Sequence, residues 1–434
     1  MSDTNSKISL AGCIIWLIAI LYFFYEFLIR IIPGTIAAEL MHDINISPEQ
    51  FAMVGSAYYL TYGAMQIVVG ILVDRFGVRF ILFGAAAICT LGVFGFSIAN
   101  SFGFLFLCRL LIGFGSSFAF VSLLVLAINW FSKKYFGFLA GLSQLLGAIG
   151  PLLAGAPVAI AMQKLHGNWR LIFFVLGIFG AALTVIILLF IRNKPAQSHK
   201  KVIFINKYEK ISKRILSLIK IKQVWSIMLY AGCTYVAMPL LAAFWGTSYL
   251  QSRGFPKPSA ALLISMIWLG LALGSPLFGR LSDRLKRRKP FLIFCSVLGI
   301  LSSLLILFAP LNSLVILFIF FIFLGIAGAG QSLSFAIMSE NVPDSLKATG
   351  LGLNNTAITI FSAVIPPLAT VLIQSASHNK VLTQFDFTRG LSLIPIAYVA
   401  AFIISTFFIK ETFCREQQKI HHLNTSENVL LKKL

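Results

Sequence analysis

The chain has 434 residues, of which 58% are hydrophobic and only 11% charged, with 35 Lys and Arg against 14 Asp and Glu. A typical soluble domain carries roughly 25% charged residues, so a water-soluble fold could not cover this much apolar surface. About a dozen apolar runs are long enough to cross a hydrocarbon core of roughly 30 Å, which makes lipid the solvent of this chain.

The first run, 10–36, comes after Lys7 and is too long for a signal-peptide core, with no small-residue cleavage pattern behind it. It reads as a retained first helix. Further spans are predicted at 51–73, 80–98, 102–128, 138–161 and 171–191. After the basic stretch 192–222 come 225–250, 260–279, 290–310, 313–338, 348–374 and 390–409. Short connections make consecutive spans antiparallel neighbours and leave backbone polar groups to be satisfied inside helices. The expected fold class is therefore all-α integral membrane, twelve transmembrane helices in two pseudo-symmetric six-helix bundles. Residues 1–191 form the first bundle, 192–222 a cytoplasmic basic linker, and 223–434 the second bundle with a cytoplasmic tail.

The net charge of +21 is a footprint that nucleic-acid binding shares, but its distribution points elsewhere. One side of the membrane holds 27 of the basic residues, ten of them in 192–222 and six in 280–289, and the other side holds six, Lys164, Arg170, Arg253, Lys257, Lys380 and Arg389. This bias is the positive-inside signature and puts both termini and the linker in the cytoplasm. No nucleic-acid partner is expected. Residues 211–221, with lysines among isoleucines and leucines, read either as a surface helix attracted to anionic lipid or as a solvated tether. The six cysteines lack metal-ligand spacing and read as packing residues. No metal, cofactor or obligate protein partner is expected.

Within the twelve predicted spans the only charged side chains are Glu26, Arg30 and Arg109. A charge near the bilayer centre costs at least about 2.5–3.5 kcal/mol on insertion scales, so such residues face a cavity or a partner. Tyr22, Glu26 and Arg30 share one helix face at i, i+4 and i+8. At 1.5 Å per residue, Arg30 lies roughly 9 Å and Arg109 roughly 10 Å below the outer surface, so the two guanidinium groups can reach one ligand. Two cations and one carboxylate leave an excess positive charge that suits a carboxylate-bearing solute. Glu26 can receive that solute's amino group or carry a coupling proton. The plainer alternatives are that Glu26 and Arg30 neutralise each other along the helix, and that Arg109 bonds one helix to another without touching a ligand.

Tyr58 and Tyr62, one turn apart in the second span, read as an outer aromatic gate or as core packing. The second half offers uncharged candidates: Tyr230, Thr234, Tyr235, Trp245, Trp268, Gln331, Asn354 and Asn355. Of these Tyr235, Gln331 and the Asn354–Asn355 pair are placed in the binding site, since an amide in a span must bond within the bundle or line its cavity.

An internal repeat ties the halves together: Gly70, Asp74 and Arg75 recur as Gly279, Asp283 and Arg284, an offset of 209 residues, each copy after the second span of its half. These residues with Gly77 and Arg79 resemble the GxxxDRxGR loop of the major facilitator superfamily. Arg109, Gly113 and Gly115 match its RxxxGxG pattern in helix four, and Asn168-Trp169-Arg170 resembles the segment entering helix six. Helix five has Gly147, Gly150, Pro151 and Gly155 but Leu146 where the antiporter pattern has glycine, so drug export is not implied. The resemblance spans essentially the whole chain and implies a secondary transporter that works by alternating access. A finer resemblance, to the phagosomal-transporter branch of intracellular bacteria, rests on Phe24, Tyr25, Glu26, Arg30 and Pro33 in helix one and on Tyr62, Met65, Gln66 and Gly70 in helix two. It implies an amino acid or nucleoside as cargo.

In physical terms the acid and arginines of the repeated loop (Gly70, Asp74, Arg75, Arg79, Gly279, Asp283, Arg284) can latch one half to the other through charge-assisted hydrogen bonds that break when the cytoplasmic side opens. The expectation is a proton-coupled symporter of a small carboxylate-bearing metabolite, such as an amino acid, in an inner membrane. A siderophore or nucleoside is the alternative cargo. A non-transporting membrane protein, or an enzyme embedded in the membrane, is the rival class, and the six histidines all lie outside the predicted spans.

Overall fold

The computed structural model describes residues 10–131, 136–193, 216–310, 313–343, 346–375 and 382–414. Among them every regular element is helical. Eleven stretches are long and apolar enough to span a bilayer, and the 29-residue helix Pro48–Phe76 has the length to be the twelfth.

Glycines and prolines decide where the spans deviate from straight rods. The first span is Leu10–Thr35, and a turn at Ile36 leads into a short helix, Ala37–Ile44, between the first two predicted spans and on the side that the charge bias expects to be outer. The second starts behind Ser47, which accepts from the Gln50 backbone while the Gln50 side chain accepts from the Ser47 backbone, a reciprocal cap. The fourth span is broken into Phe102–Ser116 and Ala119–Trp130, and the fifth into Phe136–Gly147, Ile149–Ala154 and Ala156–Lys164. The seventh passes through a π-helical stretch, Met238–Trp245, just after Val236 and including Pro239. Proline removes a backbone donor, which is one cause of such local rewinding.

The helices pack as two bundles of six whose mutual seam is made by the second span against the eleventh (Lys347–Gln374), the first against the seventh, and the fifth against the eighth (Lys257–Leu285). On the outer side this seam is tight. A Cβ at Gly34 would stand 2.6 Å from the backbone carbon of Ala243, so the first span and the π-helical segment touch backbone to backbone. Phe51 packs on Phe244 and Trp245, ring centres 6.1 and 5.4 Å away. An ion pair joins Glu39 of the short outer helix to Lys257 at the start of the eighth span. The fifth span leans on the eighth mainly through its outer segments. Together these contacts close the outer side.

At the opposite ends, those that the charge bias expects to face the cytoplasm, the described polar bonds of the repeated loops stay within their own halves. Arg79 donates to the Leu188 carbonyl through Nε and Nη2 at 3.0 and 2.7 Å, and its backbone N–H to Asn193. Asp283 pairs at 2.7 Å with Arg288, which also holds Glu340 of the tenth span at 2.9 Å. Glu411 caps the ninth span by accepting from the backbone of Arg288 and Lys289. Burial works against the Arg288 charge, but Glu340 and Asp283 outweigh it and raise its pKa further. Arg284 is exposed and Gly279 has open space around it. The latch between halves expected of Asp283 and Arg284 is therefore not closed here, because Asp283 is taken by Arg288 of its own bundle. The side-chain surroundings of Gly70, Asp74 and Arg75 lie outside the described residues, as does 194–215 of the basic linker.

Candidate functional site

The three intramembrane charges meet in one place. Glu26 is fully buried, and Arg30 and Arg109 are 5% and 1% exposed. Arg30 and Glu26, one turn apart, form a two-pronged pair in which Nη2 donates to both carboxylate oxygens, at 3.0 and 2.8 Å. Tyr58, from the second span, closes the triangle: its hydroxyl donates to Glu26 Oε2 at 2.8 Å and accepts from Arg30 Nε at 2.9 Å. Breaking a buried pair by deleting one member costs about 3–5 kcal/mol, because the other charge is left unpaired in low dielectric.

Arg109 approaches from the fourth span and uses its Nη atoms on backbone, donating to the carbonyls of Ile29 at 3.2 Å and Arg30 at 3.4 Å. Its Nε has no partner among the described residues. Its guanidinium carbon lies 4.9 Å from the centre of the Tyr58 ring, and that of Arg30 lies 5.1 Å from the same ring. The phenol thus screens two like charges from each other with its π-face, a cation–π contact on each. No other Asp, Glu, Lys or Arg falls in the predicted spans, so the ensemble holds an excess of one positive charge.

Around Arg30 the lining is aromatic. Phe27 lies 4.3 Å from the guanidinium carbon and Tyr62 4.9 Å. Tyr62 stacks on Tyr58 at 5.8 Å. Tyr235, from the seventh span and so from the other bundle, is close enough for the Arg30 charge to act on its hydroxyl. Trp268 of the eighth span meets Phe27 edge to face at 5.6 Å.

Of the residues singled out in the sequence, Glu26, Arg30, Tyr58, Tyr62, Arg109 and Tyr235 come together. Tyr22 turns instead into the first bundle and donates to the Gly115 carbonyl at 3.0 Å. Asn354 is fully buried and donates to Ser334 Oγ at 2.7 Å, a bond between the eleventh and tenth spans, with its own Oδ1 left unpartnered. Gln331 and Asn355 are half-buried near them and make no described contact with the Arg30 cluster. Trp245 is used up by Thr370, at 3.0 Å, and Tyr230 by the Leu292 carbonyl, at 2.9 Å. Sequence reasoning missed Phe27, and also Tyr59, which meets Tyr58 edge to face with ring centres 5.3 Å apart. Phe27 had a readable signal, three residues before a membrane-embedded arginine on the same helix face.

A charged, aromatic-lined cluster at the seam of two six-helix bundles is the setting in which kinship to known proteins can be judged. The sequence profile of the Major Facilitator Superfamily matches residues 18–366 and 242–419. The chain belongs to the Major Facilitator Superfamily. Like other members, it is a multi-pass membrane transporter of small solutes. It is 23% identical to a probable sulfoacetate transporter of Cupriavidus necator, with 93% of this chain and 96% of the relative covered. It is 24% identical to the 3-(3-hydroxy-phenyl)propionate transporter of Escherichia coli, covering 93% and 95%. The fold superimposes on a bacterial homologue of the human lysosomal transporter Spinster, in an inward-facing and unoccupied conformation, with a TM-score of 0.73 at 16% identity over 93% of this chain and 98% of that one.

Proposed function

We propose that this protein is a proton-coupled symporter of a small carboxylate-bearing metabolite, an amino acid or an organic acid. The observation that carries the reading is the excess positive charge of Arg30 and Arg109 over Glu26, all three buried at the seam of the bundles. A net cation in low dielectric is stabilised by an anion, and Arg presents the planar donor fork that a carboxylate matches. Arg30 carries the carboxylate, with Tyr62 and Tyr235 closing on it from the two halves. Arg109 fixes the Arg30 backbone and adds to the local positive field. Gln331, Asn354 and Asn355 are assigned to the uncharged end of the path and Tyr22 to the support of Glu26.

Glu26 carries the proton. Both its oxygens are held by Arg30 and Tyr58 when the site is empty, so a carboxylate that engages Arg30 takes its counter-ion from Glu26, which then stays in the membrane only by protonating. With a monoanionic acid the loaded and empty sites keep the same net charge. A zwitterionic amino acid with its proton adds one positive charge that an inside-negative potential draws inward, by about 2.3 kcal/mol per charge per 100 mV, so the potential opposes entry of neither. Relatives named for sulfoacetate and 3-(3-hydroxy-phenyl)propionate, both anions, support an acidic cargo. In this reading the units 1–191 and 223–434 rock about the linker 192–222, both termini lie in the cytoplasm of a cell whose inner membrane holds the protein, and the loops at Gly70, Asp74, Arg75, Arg79, Gly279, Asp283 and Arg284 latch when the cytoplasmic side closes. The kinship with the phagosomal-transporter branch belongs to the same reading.

The test is a thermal-shift screen of the purified chain against amino acids, organic acids and nucleosides. Carboxylates stabilise the wild type and fail to stabilise Arg30→Gln. Stabilisation by nucleosides alone, unchanged in Arg30→Gln, rejects the carboxylate reading.

A further inference from the structure

The second bundle contributes a buried donor with nothing to bond. Trp268 is 2% exposed, and its indole Nε1 has no hydrogen-bond partner among the described residues. Other large polar aromatics of this half find one, as Trp245 does in Thr370 and Tyr398 in the Thr234 carbonyl. A buried N–H without an acceptor costs free energy of the order of a lost hydrogen bond, and buried tryptophans usually satisfy theirs.

Its position joins it to the charged site. Trp268 meets Phe27 edge to face, ring centres 5.6 Å apart, and Phe27 carries the Arg30 guanidinium 4.3 Å from its centre. The two legs limit the separation of indole centre and guanidinium carbon to about 10 Å. Just above Trp268, one turn toward the outer face, the eighth span is pressed on the fifth, where Gly155 meets Ser265 and the Ala261 carbonyl. The indole therefore sits at the seam between bundles and below the sealed outer side. A second unpartnered donor, Arg109 Nε, belongs to the same cluster. Each bundle thus leaves a buried donor unbonded among the described residues.

We propose that Trp268 is a specificity-determining contact of the second bundle, donating its indole N–H to a second acceptor on the solute while Arg30 holds the carboxylate. The inference rests on the carboxylate reading and narrows it. The cargo is a hydroxy-, keto-, sulfo- or dicarboxylic acid short enough to set one oxygen on Arg30 and another on the indole N–H, whose ring centre lies no more than about 10 Å from the guanidinium carbon. A solute held at both points bridges the two bundles alongside Phe27, so binding favours the arrangement in which both donors face it.

The experiment measures binding of butyrate, 3-hydroxybutyrate and succinate to the purified full chain, by titration calorimetry or by stabilisation against heat. The wild type binds 3-hydroxybutyrate and succinate about tenfold more tightly than butyrate, the worth of one added neutral hydrogen bond. Trp268→Phe, which keeps a ring against Phe27, erases that preference and leaves butyrate where it was. Arg30→Gln loses all three. A preference that survives in Trp268→Phe, or a loss shared equally by the three acids, overturns the role of the indole and leaves the carboxylate reading standing. Full binding of the three acids by Arg30→Gln overturns the carboxylate reading itself.

Discussion

The Arg30 guanidinium makes three hydrogen bonds with two of the described residues, Glu26 and Tyr58, and each neighbour can be altered in a way that isolates its part. Tyr58→Phe deletes the hydroxyl that joins Glu26 Oε2 to Arg30 Nε and keeps the ring that both guanidinium groups lie against. We expect a loss of about 1–3 kcal/mol in stability, the cost of leaving a buried donor and acceptor short of a partner, read as a lower apparent melting temperature with transport reduced and not abolished. Glu26→Gln is expected to act differently. It removes the acid but retains an acceptor for Arg30, so exchange of a carboxylated solute persists while uptake no longer responds to an imposed pH gradient. Uptake by Glu26→Gln that still tracks the gradient would place the proton elsewhere. The triad of Glu26, Arg30 and Arg109 was legible because hydrocarbon makes each charge expensive, so three charges in twelve spans stand out. Their pairing was not, since i, i+4 spacing permits a salt bridge and also permits two groups aimed at a third. The arrangement of Arg109 was equally hidden, because its acceptors are backbone carbonyls, which every residue has.

At the scale of helices, close approach of backbones is the feature that sets the conformation. Gly34 brings the first span onto the carbonyl region of Ala242 and Ala243 in the π-helical segment, and no side chain there can move aside to admit a larger residue. Gly34→Val should hold the outer side open. A cysteine at Phe51, buried behind Phe244 and Trp245, then becomes reactive toward an external impermeant maleimide, whereas in the Gly34 background it stays protected. At the other end, Arg288→Gln removes the cation that pairs with Glu340, leaving it the Thr412 hydroxyl, and frees Asp283. This should lower the melting temperature of the second bundle with little change in solute affinity, since both acids sit at the ends of their spans, away from the Arg30 cluster. Element boundaries were the least readable part of the sequence. The breaks at Ser116–Ala119 and near Gly147 and Gly155, and the π-helical Met238–Trp245, depend on which glycine or proline meets a neighbouring helix, a tertiary fact. The short helix Ala37–Ile44 falls between the predicted spans because it is too short to span anything and mixes Glu39, His42 and Asp43 with apolar residues.

For the molecule as a whole, the twelve-span topology came from a single constraint, that apolar runs must match bilayer thickness, and the repeat of Gly70, Asp74 and Arg75 at Gly279, Asp283 and Arg284 divided it in two. Charge bias then suggested its orientation. What no sequence pattern could convey is the conformational state. The outer side is sealed by Gly34 on Ala243, Phe51 on Trp245 and Glu39 on Lys257, while the Asp283 and Arg79 bonds stay inside their own bundles. If the charge bias sets the orientation, this is the arrangement of a carrier closed to the outside. The central claim is that a net positive, buried cluster around Arg30 takes a carboxylate together with a proton on Glu26. It is tested most directly by reconstituting the chain into proteoliposomes and measuring accumulation of a panel of radiolabelled amino and organic acids with the outside made acidic. A carboxylated solute should accumulate, with accumulation that collapses when the pH gradient is dissipated and falls at least about tenfold in Arg30→Gln, a loss of about 1.4 kcal/mol or more. Accumulation of that solute undiminished in Arg30→Gln would contradict the claim.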